Sequence, residues 1–333
     1  MRVLWVGDPH VQKSNIDESK RLAGWVRAER DSLKPDYVLL AGDLYNDFGL
    51  KRVEVDEFWT HVLSDVLPGS IVLEGNHDQT PDGTGSALSV HRDRCNLING
   101  AAVLSRGVGG MPFIRDNAKF LETCKALYAE GARTIFCHAD VNGAQYENGF
   151  YSPGGADVSG LPADLKLISG HIHKQQEFGN VWFPGTPRHL TRSDVGEKKG
   201  IWLIDTDLNQ RWFLETPPEV CAPFLEVTVT PENFDVVMNS VMRLPPTDRL
   251  YVDVKGTKEF IDKAIGVLPD QAKIRTFVAS TKPRSGVSES EGIPTAFVKY
   301  AAKYAAEHSL SPEVAQKVLT KVYAKCPTLR IGT

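Results

Sequence analysis

No apolar run in this 333-residue chain approaches the length of a membrane span, about 20 residues. Cysteine is sparse. Cys95, Cys124, Cys137, Cys221 and Cys326 are odd in number, widely spaced and without a CxxC pair. That excludes a disulfide framework and argues for reduced thiols. Positive charge is not in excess, since 38 Lys and Arg stand against 42 Asp and Glu. A global basic footprint for nucleic acid is therefore absent, and any such contact must use local patches or a partner. No internal repeat is present. The opening stretch Met1 to Asp8 is too short for a signal-peptide core, lacks a small-residue cleavage site and runs directly into Asp8 and His10. It is expected to be the first strand of a cytoplasmic protein.

What is present is an alternation of strand-like and helix-like segments. Strands are expected at 3–7, 38–41, 71–74, 134–137, 165–169, 181–183 and 200–204, with helices at 19–33, 53–67 and 120–128. This order predicts an α/β fold with a mixed sheet flanked by helices, and a second, more antiparallel sheet after His173. Residues 146–162 are rich in Gly, Pro and Ser and read as a loop near the site. Thr216-Pro217-Pro218 marks a boundary. Beyond it, a β-α-β-α-β pattern over 223–278 predicts a small α/β module, and 281–291 reads as a linker. Two helices are expected in the tail, one capped by Ser311 with Pro312 in its first turn. They pack either on their own domain or against a partner.

The strand-like runs share one property: they end in metal-ligand residues. Gly7-Asp8-Pro9-His10, Gly42-Asp43, Gly75-Asn76-His77-Asp78, His138 and Gly170-His171-Ile172-His173 all follow apolar segments. Ligands in open α/β folds bind where parallel strands emerge from the sheet. In extended chain, residues i and i+2 point the same way, so Asp8 and His10 can reach one ion, and His171 and His173 can serve one ion each. Asp43 can bridge both. The mixture of imidazole, carboxylate and one amide oxygen suits Mn, Fe or Zn and is too rich in nitrogen for Ca. Two ions about 3.5–4 Å apart would clamp the attacking and leaving oxygens of a phosphate ester.

The ordered series GDPH, GDLYND, GNHD, CHAD and GHIH, over residues 1 to about 205, resembles the calcineurin-like metallophosphoesterase family. The resemblance implies a four-layer sandwich of two mixed β-sheets flanked by helices, followed by a small α/β capping domain and a C-terminal helical hairpin. It implies that Asp8, His10, Asp43 and His173 hold one metal, and that Asp43, Asn76, His138 and His171 hold the other. A bridging hydroxide would attack phosphorus. His77 would act at the leaving oxygen, and Asp78 would either orient its ring or cap the following turn. The two ions are expected to be divalent, Mn²⁺ first, with Mg²⁺, Fe or Zn as alternatives.

GDLYNDFG lacks the Arg of the protein-phosphatase pattern GDxxDRG. In contrast, Phe183-Pro184-Gly185-Thr186-Pro187 and the later Lys199-Gly200 are similar to the corresponding segment of SbcD-type DNA repair exonucleases and the recombination nucleases of T-even phages. That likeness implies a DNA exonuclease, 3′ to 5′, with single-strand endonuclease activity. Its partners would be DNA and an SMC-like ABC ATPase of SbcC type, with the chain as a homodimer within a heterotetramer. The alternative is a phosphodiesterase or phosphatase of the same superfamily acting on small molecules or proteins. The expected division is a nuclease domain at 1–215, a cap at 216–280, a linker at 281–292 and a partner-binding segment at 293–333. Asn46 stands where cellular relatives often carry His or Asp. Arg188, Arg192, Lys198 and Lys199 either touch the DNA backbone or form a solvated turn, and Phe48, Phe113 and Tyr151 either stack on a base or join the core.

Overall fold

The computed structural model describes residues 1–49, 64, 69–244 and 249–278. The helix expected over 53–67 therefore lies, apart from Ser64, outside the described residues. So do the linker at 281–292 and the tail at 293–333. By its contacts the chain forms two units. One comprises Met1–Val227, Leu244–Val252 and Pro269–Lys273; the other comprises Thr228–Arg243, Asp253–Leu268 and the chain from Ile274.

In the first unit, β1 (Arg2–Val6), β2 (Tyr37–Leu40), β3 (Ile71–Leu73) and β4 (Asn96–Ile98) pair in parallel, in that order. A second sheet contains β5 (Ala102–Ser105), β6 (Val108–Gly110), β7 (Thr134–His138), β8 (Lys166–Gly170), β9 (Gln176–Phe178) and β10 (Val181–Phe183), in the order β5-β6-β7-β8-β10-β9. The chain then returns to the first sheet with β11 (Gly200–Asp205), antiparallel to β1, and β12 (Gln210–Glu215) at the edge. Both sheets are mixed, with parallel strands at their centres.

Alternation along the strands builds the layers. Val3, Trp5, Leu39, Ala41, Ile71 and Leu73 meet Val108, Phe136, Ile168 and Trp182 in one buried cluster joining strands of both sheets. Leu4, Val6, Val38, Leu40 and Val72 belong to a second cluster with Leu22, Ala23 and Val26 of α1 (Ile16–Leu33). Ile135, Cys137, Leu165 and Leu167 do the same with Phe120, Cys124 and Leu127 of α2 (Asn117–Ala129). The result is the α/β/β/α sandwich. Helix α1 stops at Lys34, which turns left-handed (φ 47°) before Pro35. Asp116 caps α2 by accepting from Lys119 N at 2.8 Å.

A further sheet has the order β13 (Leu225–Val229), β14 (Leu250–Gly256), β15 (Lys273–Val278). In the second unit lie α3 (Phe234–Val241) and α4 (Lys258–Ile265). There Phe234 meets Phe260 edge-on at 5.6 Å, and Arg275 grips Asp253 through two bonds of 2.8 and 2.6 Å. The short strands β4, β5, β6, β9 and β12 are additions to the expected set. Among the described residues no helix is long and apolar enough to cross a membrane.

Candidate metal centre

Five strands of the two sheets end at one place. Asp8 and His10 follow β1, Asp43 follows β2, Asn76 and His77 follow β3, His138 closes β7, and His171 and His173 follow β8. Three groups of donor atoms lie together, each within 4.8 Å: Asp8, His10 and His173; His10, Asp43 and His77; and Asp43, His138 and His171. Asn76 completes the set, its Oδ1 standing 3.0 Å from His138 Nε2 and 2.8 Å from His171 Nδ1. All nine predicted residues are thus near one another, with Asp8, Asp43, Asp78 and His138 buried and His77 exposed.

The route to this convergence differs from the expected extended i, i+2 geometry. Asp8 (φ 29°), His10 (φ 44°), Asp43 (φ 48°) and His171 (φ 84°) all have left-handed backbone. Each such residue costs of order 1–3 kcal/mol, so the surrounding structure must hold it. The clamps are visible. His171 N donates to Asp8 Oδ1 (2.8 Å), His77 N donates to Asp43 Oδ1 (2.8 Å), and His10 N donates to the Asp43 carbonyl (3.0 Å).

The glycines before Asp43, Asn76 and His171 are required by close approach. A Cβ at Gly75 would collide with the Asp43 amide nitrogen and Oδ1, and one at Gly42 with His138 Nδ1. At Gly170 it would meet the Ala41 carbonyl at 2.5 Å.

The electron-pair donors face one another in a way that suits cations. His138 Nδ1 donates to the Ala41 carbonyl at 2.8 Å, which turns Nε2 toward Asp43 Oδ2, 3.3 Å away. His10 Nε2 sits 3.1 Å from His173 Nε2 and 3.6 Å from Asp43 Oδ2. Asp8 Oδ2 is buried with no hydrogen-bond partner. Burial holds the His10, His171 and His173 rings below the usual imidazole range, His171 at about 4, so they are neutral and able to ligate. Burial also pushes the Asp8 carboxyl up to about 7, although His138 opposes it. His138 is the exception: burial disfavours its charge, yet Asp43 and Asp8 raise it to about 10. Convergent acceptors, an orphaned buried carboxylate oxygen and neutral imidazoles fit bound divalent ions.

Several supporting residues depart from expectation. Asp78 does not hydrogen-bond the His77 ring. It is buried, and its two oxygens accept from Gly75 N (2.9 Å), Tyr45 N (3.1 Å) and Leu44 N (3.3 Å), tying the Asp43 loop to the Asn76 loop. The His77 ring is held by the Asn46 carbonyl instead, 2.8 Å from Nδ1. Asp47 is a turn residue, accepting from Gly49 N at 2.8 Å. Arg188 and Lys199 are not surface cations. Arg188 is buried, donating to the Pro9 and His10 carbonyls and to Ser19 Oγ. Lys199 is buried against Asp194 at 2.5 Å and donates to the His173 carbonyl at 3.0 Å. Lys198 is exposed, with Glu215 at 3.1 Å, and Arg192 is paired with Glu226. Phe113 stacks on His171 at 6.0 Å and meets His138 edge-on at 6.2 Å, forming a wall of the site. Glu147, which no motif marks, accepts from His173 N at 2.7 Å, with the His173 ring nitrogen Nδ1 3.7 Å away.

A mixed-sheet sandwich with imidazoles and carboxylates gathered at its strand ends defines a metallophosphoesterase, and the description "calcineurin-like phosphoesterase" matches residues 1–175. The chain belongs to that family. Over 72 residues it is 36% identical to "Exonuclease subunit 1" of Enterobacteria phage T4, covering 20% of this chain and 21% of the relative. Over 212 residues it is 26% identical to "Putative phosphoesterase 078R" of Invertebrate iridescent virus 3, covering 55% and 56%. The chain thus matches about a fifth of one relative's length and just over half of the other's. Among solved structures it is similar to an archaeal phosphodiesterase (TM-score 0.34, 12% identity, 65% of this chain and 99% of that one). It is also similar to GAP50 of the Plasmodium inner membrane complex (TM-score 0.38, 11% identity, 86% and 99%).

Proposed function

We propose that this chain is the nuclease subunit of a DNA recombination-repair complex, hydrolysing phosphodiester bonds with two divalent ions, manganese being the first choice. The observation that carries the reading is the convergence of a complete donor set in a chain that shares 36% identity over 72 residues with a phage exonuclease subunit. Asp8, His10, Asp43 and His173 would hold one ion, and Asp43, Asn76, His138 and His171 the other. When bound, such ions polarise phosphoryl oxygens and make a nucleophile available at neutral pH.

The chain's own groups perform the remaining tasks. Asp43, common to both sets, would be the carboxylate that the two sites share. His77 stands at the exposed rim with Nδ1 anchored on the Asn46 carbonyl. That anchor orients Nε2 to give a proton to the leaving oxygen. Asp78 acts as a positioning residue through the amides it ties. Residues 1–215 form the nuclease domain and 216–280 the cap that recognises DNA. Through the linker at 281–292 they lead to a segment at 293–333 that docks on an SMC-like ABC ATPase of SbcC type. The assembly would be a homodimer within a heterotetramer in the cytoplasm, acting 3′ to 5′ and nicking single strands.

The test is hydrolysis of linear DNA by the Mn²⁺-loaded chain, alone and with the ATPase. Wild type should release nucleotides, and His77→Ala should lower kcat by about 10²–10⁴-fold without loss of metal. Turnover of cyclic nucleotides or phosphopeptides with no cleavage of DNA would instead establish the small-molecule or protein phosphoesterase.

A further inference from the structure

The Gly-, Pro- and Ser-rich stretch after β7 begins with a tight hairpin. Gln145 and Tyr151 form an antiparallel bridge. Tyr146 N donates to the Phe150 carbonyl at 2.8 Å, Gly149 N to the Tyr146 carbonyl at 2.9 Å, and Gln145 Nε2 to the Gly149 carbonyl at 3.0 Å. Gly149 supplies the left-handed residue of the turn (φ +85°).

The base of the hairpin is fixed on two sides. Gln145 exchanges two bonds with the Gln176 side chain, 2.8 and 2.7 Å. The Tyr146 and Ser152 hydroxyls both donate to Asp140 Oδ2, at 2.8 and 2.7 Å. Asp140 lies two residues beyond His138. On its inner side the hairpin reaches the site, because Glu147 accepts the His173 amide at 2.7 Å.

On the same hairpin, Phe150 is 70% exposed and Tyr151 65% exposed. Phe150 is three residues from Glu147, at most about 10 Å along the chain. Two large rings are therefore held in water by a braced loop whose inner carboxylate touches the ligand-bearing segment. Their neighbours at the tip, Asn148 and Gly149, are exposed and offer no apolar rim. A protein docking patch needs a contiguous apolar core. Isolated flat rings beside a phosphoester site suit stacking on a base, which every nucleotide offers irrespective of sequence.

We infer that Phe150 and Tyr151 each offer a stacking platform to unpaired bases of the strand whose phosphate lies at the metal centre. This specifies the substrate as single-stranded nucleic acid or a frayed end, and it rests on the DNA reading above.

The test compares the full Mn²⁺-loaded chain with Phe150→Ala/Tyr151→Ala and with Phe150→Trp/Tyr151→Trp. Substrates are a single-stranded oligonucleotide, the same strand with abasic sites, and bis(p-nitrophenyl) phosphate. Thermal melts confirm that each variant is folded. In the alanine variant, kcat/KM for the oligonucleotide relative to bis(p-nitrophenyl) phosphate should fall about tenfold or more, through KM. The tryptophan variant should retain the wild-type ratio, and abasic sites should reduce wild-type cleavage to the level of the alanine variant. An unchanged ratio in the alanine variant, with wild type cleaving DNA, overturns the stacking platform alone. Hydrolysis of bis(p-nitrophenyl) phosphate by a wild type that leaves DNA intact overturns the DNA reading and the platform with it.

Discussion

The Arg188 guanidinium lies beneath the His10 carbonyl, donating through Nη2 at 3.1 Å, and the Pro9 carbonyl is its second backbone acceptor. Asn15 Nδ2 donates to the same His10 carbonyl at 3.0 Å. These bonds hold the left-handed turn that presents His10. Glu18 stands 3.5 Å from Arg188 and 2.7 Å from Arg249, so its buried charge is balanced from two sides.

Arg188→Ala should therefore destabilise the chain strongly. It removes two hydrogen bonds to the Pro9–His10 turn, one to Ser19 of α1 and half the compensation of Glu18, at a cost of about 3–5 kcal/mol. Calorimetry should record a drop of roughly 10 °C in Tm. Restoring metal should rescue only part of it. A Tm within a degree or two of wild type would contradict this role.

Two glycines give opposite forecasts. Gly75→Ala places a methyl group against Asp43 N and Oδ1, so it should displace the Asp43 carboxylate and lower metal content as well as Tm. Gly24 sits within α1 with nothing within 4 Å of an added Cβ. Gly24→Ala should stabilise by about 1 kcal/mol through helix propensity, with metal content unchanged. Elemental analysis and melting of the pair check both statements.

His91 predicts an acid-sensitive contribution to stability. Burial, aided by Arg94, holds its pKa at about 4 instead of 6.5, and the Tyr45 hydroxyl is hydrogen-bonded to its Nε2 at 2.6 Å. Above pH 6.5 the ring is neutral in both folded and unfolded chains. Between pH 6.5 and 4 only the unfolded chain takes up the proton, so stability falls with pH. The loss is of order 2–3 kcal/mol. Urea denaturation of wild type and His91→Gln across this window should show the advantage of wild type shrinking by that amount. A constant difference would contradict it.

Much of this centre was legible because buried parallel strands are short apolar runs and the ligands follow directly at their ends. Val38 to Asp43 and Ile135 to His138 display both features in a few residues. What escaped was whatever depends on distant pairing. Glu147 meets a histidine 26 positions away from within a loop that has no periodicity. Arg188 and Lys199 looked like surface cations because local sequence cannot show that Glu18 and Asp194 are folded against them. The strands β5 and β6 are short and, around Gly107 and Gly109, carry little side-chain pattern. For Asp78, adjacency to His77 suggests the ring or the following turn, whereas its carboxylate accepts from the amides of Leu44, Tyr45 and Gly75, pairings that local sequence does not display.

Under the proposed function Asp43 would serve two ions at once in a DNA-cleaving centre. The most direct test is metal content and cleavage of linear DNA measured on the same preparations of wild type, Asp43→Asn and His171→Ala. Wild type should carry about two manganese ions per chain and release nucleotides. Asp43→Asn should lose nearly all of both ions and of cleavage, and His171→Ala should lose about one ion. Asp43→Asn protein that keeps one ion, or fully loaded wild type that leaves DNA uncut, would contradict this reading.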